Sequence, residues 1–264
     1  MRYFLTYLIA FSLNIVVAQN LITVKQWKVE DITDITFDQY NGIYLADELG
    51  TITKYDLEGN QLLSYSSEMI FPINTIDVSH TNKIFGFYQT NQSYILLDRY
   101  LNVLNQSTFN PDFIGFAVVA AFSSDNNLWI FDGSDFTLKK LNLITGKLMT
   151  SIALSLIITE NHLDIIQIDE YQNRLYLNNQ DKNILVLDNM GNFIKSLPVQ
   201  PEGKFCFNNN NIVYIRNNTI SLYDIYNNDI MTIGTFTEGY NPLKIIQLQE
   251  EYYLAVKDKI IVLK

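Results

Sequence analysis

The sequence predicts an all-β fold, a six-bladed β-propeller closed by an N-terminal strand that completes the last blade. Three observations carry that expectation. Short apolar strands alternating with period two recur roughly every forty residues, the period of a propeller blade. Asn, Asp and Gly, which tolerate positive φ or form local side-chain turns, punctuate the strands. Past the first twenty residues no segment carries the 3.6-residue apolar stripe of a helix.

The recurrence is clearest where the third strand of each copy ends, in "TITKYD" to Asp56, "SYILLD" to Asp98, "TLKKLN" to Asn142, "NILVLD" to Asp188, "TISLYD" to Asp224 and "KIIVLK" to Lys264. The separations are 42, 44, 46, 36 and 40 residues. An aromatic-rich second strand precedes each anchor, as in "GIYLAD", "NLWIFD" and "NIVYIR". Before it lies an innermost apolar run, such as "ITDITFD", "FAVVAAF" or "LKIIQL". A turn and an outer strand follow each anchor except the last.

The sixth copy therefore lacks its outer strand. An open edge invites aggregation, so the ring must close. Residues 20–30, "NLITVKQWKVE", have no other assignment and are expected to fill the gap, with Ile22, Val24 and Trp27 near Val29 as the apolar set.

The start of the chain has a different character. "MRYFLTYLIAFSLNIVVAQN" carries Arg2, an apolar stretch from Tyr7 to Val17, and Val16 and Ala18 at the −3 and −1 positions of a signal-peptidase site. A signal peptide over residues 1–18 and a single domain over 19–264 are expected. The apolar core, interrupted by Asn14, is shorter than the ~20 residues a membrane span needs. Localisation is then periplasmic or secreted. Removing Arg2 takes the formal charge from −10 to −11. Such an acidic chain is a poor partner for nucleic acid, whose phosphates need a basic footprint. The single cysteine, Cys206, alternates with Phe205 and Phe207 and reads as a small buried apolar residue rather than a nucleophile.

The repeats "FDQYNGIYLADELGTITKYDLEGN", "FSSDNNLWIFDGSDFTLKKLNLITGK" and "IDEYQNRLYLNNQDKNILVLDNMGN" resemble the six-bladed propellers of the NHL and YVTN-like group. The likeness covers about residues 20–264. It departs from the group in its few glycines and in lacking a signature dipeptide such as WD. It implies architecture and leaves function open, because propellers serve as enzymes, lectins and scaffolds alike.

Propeller hydrolases of the gluconolactonase and paraoxonase type hold a divalent metal in the channel on Glu, Asn and Asp, the oxygen ligands a hard cation prefers. The comparable innermost positions here are expected at Asp34, Thr75, Val119, Ile165, Lys204 and Ile245. No set of three or four carboxylates and amides converges there, so no metal or other cofactor is expected. The groups Asp31, Asp34, Asp38 and Asp125, Asp132, Asp135 lack the order of a calcium loop and read as turn formers. His80 and His162 read as loop histidines, since no G-x-S-x-G elbow supplies a nucleophile. No catalytic, cofactor-binding or metal-binding residue is assigned. Trp129 is assigned to a core strand. The apolar joint "MTSIALSLIITENHLDII" reads as a lengthened, buried outer strand in preference to a partner-binding ledge.

The expected function is that of an exported, non-catalytic scaffold or accessory subunit that binds a protein of the cell envelope. By size and compartment it is comparable to the plug subunit of the type IX secretion translocon. A metal-dependent lactonase or esterase is the alternative from another class, and a carbohydrate-binding propeller a third.

Overall fold

The computed structural model describes residues 19–68, 70–78, 83–157, 163–180, 182–237 and 239–264. The signal peptide expected over 1–18, His80 and His162 lie outside the described residues. Six antiparallel four-stranded blades form the molecule, the fifth gaining one further two-residue strand. Among the described residues no helix is long and apolar enough to cross a membrane.

From inside outward the first blade is Ile32–Phe37, Ile43–Asp47, Ile52–Tyr55 and Gln61–Tyr65. The second is Thr75–Asp77, Ile84–Tyr88, Ser93–Leu97 and Val103–Thr108. Ala117–Phe122, Asn127–Asp132, Thr137–Asn142 and Leu148–Ala153 make the third. The fourth comprises Ile165–Tyr171, Arg174–Asn179, Asn183–Asp188 and Phe193–Leu197. In the fifth, Cys206–Asn208, Asn211–Arg216, Thr219–Asp224 and Ile230–Thr235 follow in order. The sixth has Lys244–Leu248, Glu251–Val256 and Lys259–Leu263, and its outer strand is Thr23–Lys28 from the other end of the chain.

The ring thus closes as expected, with two differences. Gln19–Asn20 pair in parallel with Gly234 and Thr235 of the fifth blade, so the N-terminal segment bridges two blades. Of its apolar residues, Ile22 and Val24 are exposed, while Leu21, Trp27 and Val29 pack on the core. A bulge at Val24, where Thr23 faces Leu263 but Lys25 faces Val262, reverses the side-chain alternation and turns Lys25 and Trp27 inward. Trp27 meets Tyr253 edge-on at 6.2 Å and lies against Gly59. Gly59 holds φ +85°, and a Cβ there would sit 3.0 Å from the indole.

The recurring Asp or Asn at the third-strand end has a local cause. Asp98 Oδ1 accepts the backbone N–H groups of Tyr100 and Asn102, and Asn102 returns its side-chain amide to Oδ2. Asp188 and Asn192 repeat the arrangement, and Asn142 and Asp224 cap their turns alike. These are Asx turns, which supply backbone partners that a tight turn would otherwise leave to water.

Apolar residues from facing sheets fill the spaces between blades, with Trp129, Tyr176, Phe85, Phe87 and Phe131 among the largest fully buried side chains. Each fully buried residue of this kind contributes about 1.5–3 kcal/mol. Polar side chains then fix neighbouring blades in register. Gln92 both donates to and accepts from the backbone of Ala117. Glu170 receives Trp129 Nε1 at 3.1 Å and the Ser123 hydroxyl. Gln167 makes the same two-way contact with Phe205. Lys25 Nζ donates to Leu57 O at 2.6 Å, tying the closing strand to the first blade. The joint after the third blade is not a lengthened strand. The outer strand ends at Ala153 and a 3-10 turn, Leu154–Leu156, buries Leu154 and exposes Leu156.

Candidate functional site

Strand register sets the innermost strands at corresponding levels. Asp34 lies opposite Ala46 and, at the corresponding level, Thr75 opposite Phe87, Val119 opposite Phe131, Gln167 opposite Asn178 and Lys244 opposite Ala255. Lys204 joins this ring through its bridge to Lys244. Two residues further along, a second ring runs Thr36, Asp77, Ala121, Asp169, Cys206 and Ile246.

Three of the six expected axial positions line the channel: Asp34, Thr75 and Lys204. Val119, Ile165 and Ile245 do not, being buried between blades, and Ala121, Gln167 and Lys244 line the channel from those blades. Equivalent bulges at Thr33, Val118 and Ile166 put Asp34, Val119 and Gln167 at the same level, so the fourth blade's position lies two residues beyond the expected Ile165. Asp77 and Asp169, which sequence reasoning missed, also line the axis. The expectation that no three or four carboxylates and amides converge on the channel is therefore corrected: Asp34, Asp77, Asp169 and Gln167 line it together with Lys204 and Lys244. A common inward parity of "DIT" at 34–36, "TID" at 75–77 and "QID" at 167–169 was the available signal.

These charges are engaged with one another. Asp34 lies 3.1 Å from Lys204 Nζ and 3.4 Å from Lys244 Nζ, and accepts the backbone N–H groups of Ile35 and Ile76. Burial works against its ionisation, but the two lysines and the Ile76 N–H override it and hold the carboxyl below the ordinary value. Burial lowers the pKa of Lys204, which donates to Asn74 O at 2.7 Å. Lys244 is raised instead, because Asp34, Asp169 and Asp77 outweigh its burial. Asp169 is pushed up to about 6 by burial and by the charges of Asp77 and Asp34, against the pull of Lys244 and the Gln167 amide. Gln167 Nε2 donates to Asp169 Oδ2 at 2.6 Å. Cys206 is buried, and desolvation lifts its thiol to about 12, far from a nucleophile's range.

The channel opens into a groove of about 700 Å³ on the face that carries the turns between first and second and between third and outer strands. From the axis it passes Asp77, Asp169 and Lys244, then Tyr40, Tyr44 and Lys54, and reaches Leu62, Leu63, Arg99 and Tyr100 at the joint of blades one and two. Asp38 and Lys54 form an ion pair of 2.8 Å in its wall.

The remaining acidic groups are structural. Asp132 pairs with Lys139 at 2.6 Å and accepts Gly115, Phe116 and Ser134 N–H groups, while Asp125 pairs with Lys140 at 2.7 Å. Among the described residues no group of three or more His, Cys, Asp or Glu is placed to hold a metal ion. Trp129 is fully buried in its strand.

The circumference shows a second repeating feature. In five of the six outer strands a bulge falls at the second residue: at Leu62, Leu104, Met149, Ile194 and Val24. Each bulged residue is apolar, with 52%, 54%, 53%, 45% and 45% of its surface exposed. The fifth blade has its bulge elsewhere, at Ile233, and exposes Ile230 and Met231 at the equivalent edge. Sequence reasoning missed this rim, although an apolar pair follows each turn in "QLL", "NVL", "KLM", "NFI" and "DIM".

The all-β ring and its charged axis define the class as a propeller with an axial groove and an apolar rim. No protein-family model matches the chain, and no curated protein sequence matches it significantly. Solved structures do resemble it. Virginiamycin B lyase from Staphylococcus aureus is 13% identical with TM-score 0.63, the match covering 91% of this chain and 99% of that one. A streptogramin B lyase is 14% identical with TM-score 0.62, covering 91% and 97%. The Swd1 β-propeller domain of Myceliophteria thermophila is 9% identical with TM-score 0.65, covering 92% and 99%. At these identities the likeness establishes the propeller fold. The set includes enzymes and a domain not described as one, in keeping with the many functions this architecture carries.

Proposed function

We propose that the protein is an exported, non-catalytic subunit that docks against an annular partner in the cell envelope, as a plug-like periplasmic disc seats in a barrel mouth of a secretion translocon. The observation that carries this reading is the apolar rim. Exposed apolar residues scattered singly need no explanation. Here the exposed side chain recurs at the same structural position in successive blades, on the bulge of an outer strand where proteins ordinarily place charges to protect an edge. A feature repeated around a disc at one level suits a partner that surrounds the disc.

The test is co-purification of tagged mature protein from envelope membranes. Recovery of one large outer-membrane protein in fixed ratio, reduced at least tenfold when Leu62, Leu104, Met149 and Ile194 are all changed to serine, supports the reading. Equal recovery by the quadruple variant overturns it.

The alternative, a metal-dependent lactonase or esterase, would need channel carboxylates free to take a cation. Asp34 is instead bound to two lysines and Asp169 to an amide. Stoichiometric metal together with turnover of a lactone panel would reverse the preference.

A further inference from the structure

The turns between third and outer strands carry an apolar feature separate from the bulged rim. In four successive blades the Asx anchor accepts the N–H of the residue two positions on. Asp98 accepts from Tyr100, Asn142 from Ile144, Asp188 from Met190 and Asp224 from Tyr226. All four side chains at this tip position are exposed, from 57% at Tyr226 to 92% at Ile144. The series stops at the first blade, where Glu58 stands two positions after Asp56. It has no member in the sixth blade, whose outer strand comes from the other end of the chain.

The turn itself does not demand an apolar tip. Each anchor bonds the backbone of the tip residue, so the side chain there is free to vary, as Glu58 shows. Four anchored turns thus hold Tyr100, Ile144, Met190 and Tyr226 out into water. Blades repeat radially about the axis, so equivalent positions lie close to one plane normal to it. The bulged rim points sideways and suits a surrounding wall. The tips stand at one level on a face of the disc and suit a flat surface.

Residue type and charge then select the surface. Tyr100 and Tyr226, at the two ends of the arc, have the amphipathic ring that settles at headgroup level, and Ile144 and Met190 lie between them. The Arg99 guanidinium stacks on the Tyr100 ring at 4.7 Å and donates to its hydroxyl, keeping further donors for a headgroup phosphate. Tyr226 donates to Gln172 of the fourth blade. The same turns carry Asp98, Asp188, Asp224 and Asp229 against Arg99 and Lys147, in a chain of formal charge −10. Anionic headgroups are repelled by this set, whereas zwitterionic ones are not.

We propose that Tyr100, Ile144, Met190 and Tyr226 form an arc that seats the turn face on the interfacial layer of a zwitterionic lipid bilayer, with contact confined to blades two to five. The four side chains enter the headgroup boundary without any segment crossing the membrane. The rim and its annular partner are not needed for this contact, so vesicles alone test it.

The experiment is sedimentation of the mature protein with large phosphatidylcholine vesicles. Half of the protein should be bound at lipid on the order of 1 mM, about tenfold weaker than a single myristoyl chain achieves. Replacing about a third of the lipid by phosphatidylglycerol should weaken binding several-fold at low salt, and about 0.5 M salt should remove that loss. Changing all four tips to serine should weaken binding about tenfold or more while leaving the melting temperature in place. Ile144→Trp, at the most exposed tip, should bind more tightly, and its emission should shift to the blue only with vesicles present. Equal sedimentation of the serine variant, tighter binding to anionic vesicles, or no shift in the Ile144→Trp emission overturns the proposal. So does the absence of sedimentation up to ~10 mM lipid. Loss of the envelope protein on the same four changes would then assign the tips to that partner instead.

Discussion

At its axis this disc buries charge, and at its circumference it exposes apolar side chains. The axis encloses Asp34, Asp77, Asp169, Lys204 and Lys244, while the rim presents Leu62, Leu104, Met149, Ile194 and Val24. The two regions answer to different demands. Six innermost strands converge there, and polar groups can hold several blades at once. Asp34 alone touches the backbone of blade two and lysines of blades five and six. The rim side chains are about half exposed, so their apolar character contributes less to folding than that of the buried core.

Breaking the axis should have the largest effect. Asp34→Ala leaves Lys204 and Lys244 without their shared carboxylate and is expected to cost about 3–5 kcal/mol, read as a lower urea midpoint. Because the folded pKa of Asp34 lies below its unfolded value, this contribution is complete above about pH 5 and is lost as the pH falls through the lowered folded value. Trp27→Ala, which opens the closure between the sixth and first blades, should cost about 3 kcal/mol by the same measurement.

Asp169 sharpens the contrast in the opposite direction. Its folded pKa is raised from 3.8 to about 6, so the folded state holds this proton longer than the unfolded chain does. The resulting destabilisation sets in as pH rises from about 4 and is complete above about 6. Asp169→Asn is accordingly expected to stabilise the protein by about 2 kcal/mol at pH 7.5 and to leave it unchanged near pH 3.5. The Asn side chain can keep the Gln167 contact, since Gln167 donates it. Thermal melting at the two pH values measures both arms.

Rim substitutions should have the smallest effect on stability. Leu104→Ser is expected to shift unfolding by no more than about 0.5 kcal/mol, as for other exposed positions without buried contacts. If a rim change instead unfolds the protein, the separation of roles between axis and circumference fails.

Much of the fold was legible because its signals are local. The Asp and Asn anchors mark Asx turns whose hydrogen bonds close within four residues, and these punctuate the strands whatever the rest of the chain does. The vacancy at the end of the sixth copy and the spare strand at the start followed from counting. Side-chain direction was less legible wherever a bulge intervened. The extra residue at Val24 left Ile22 and Val24 exposed and put Lys25 on the covered face with Trp27, and the axial residues of the fourth and sixth blades fell at Gln167 and Lys244 in place of Ile165 and Ile245.

From its own letters the chain determined the number of blades, the order of their strands and the closure of its two ends, because period-two alternation and turn chemistry act over a few residues. The ring alone decided the site. It brings Lys204 to Asn74, 130 residues away, and to Asp34, and gathers three carboxylates and two lysines at the mouth of a groove. Such a balance depends on which of two neighbouring residues faces the axis, and bulges and blade packing settle that only when all six blades are in place.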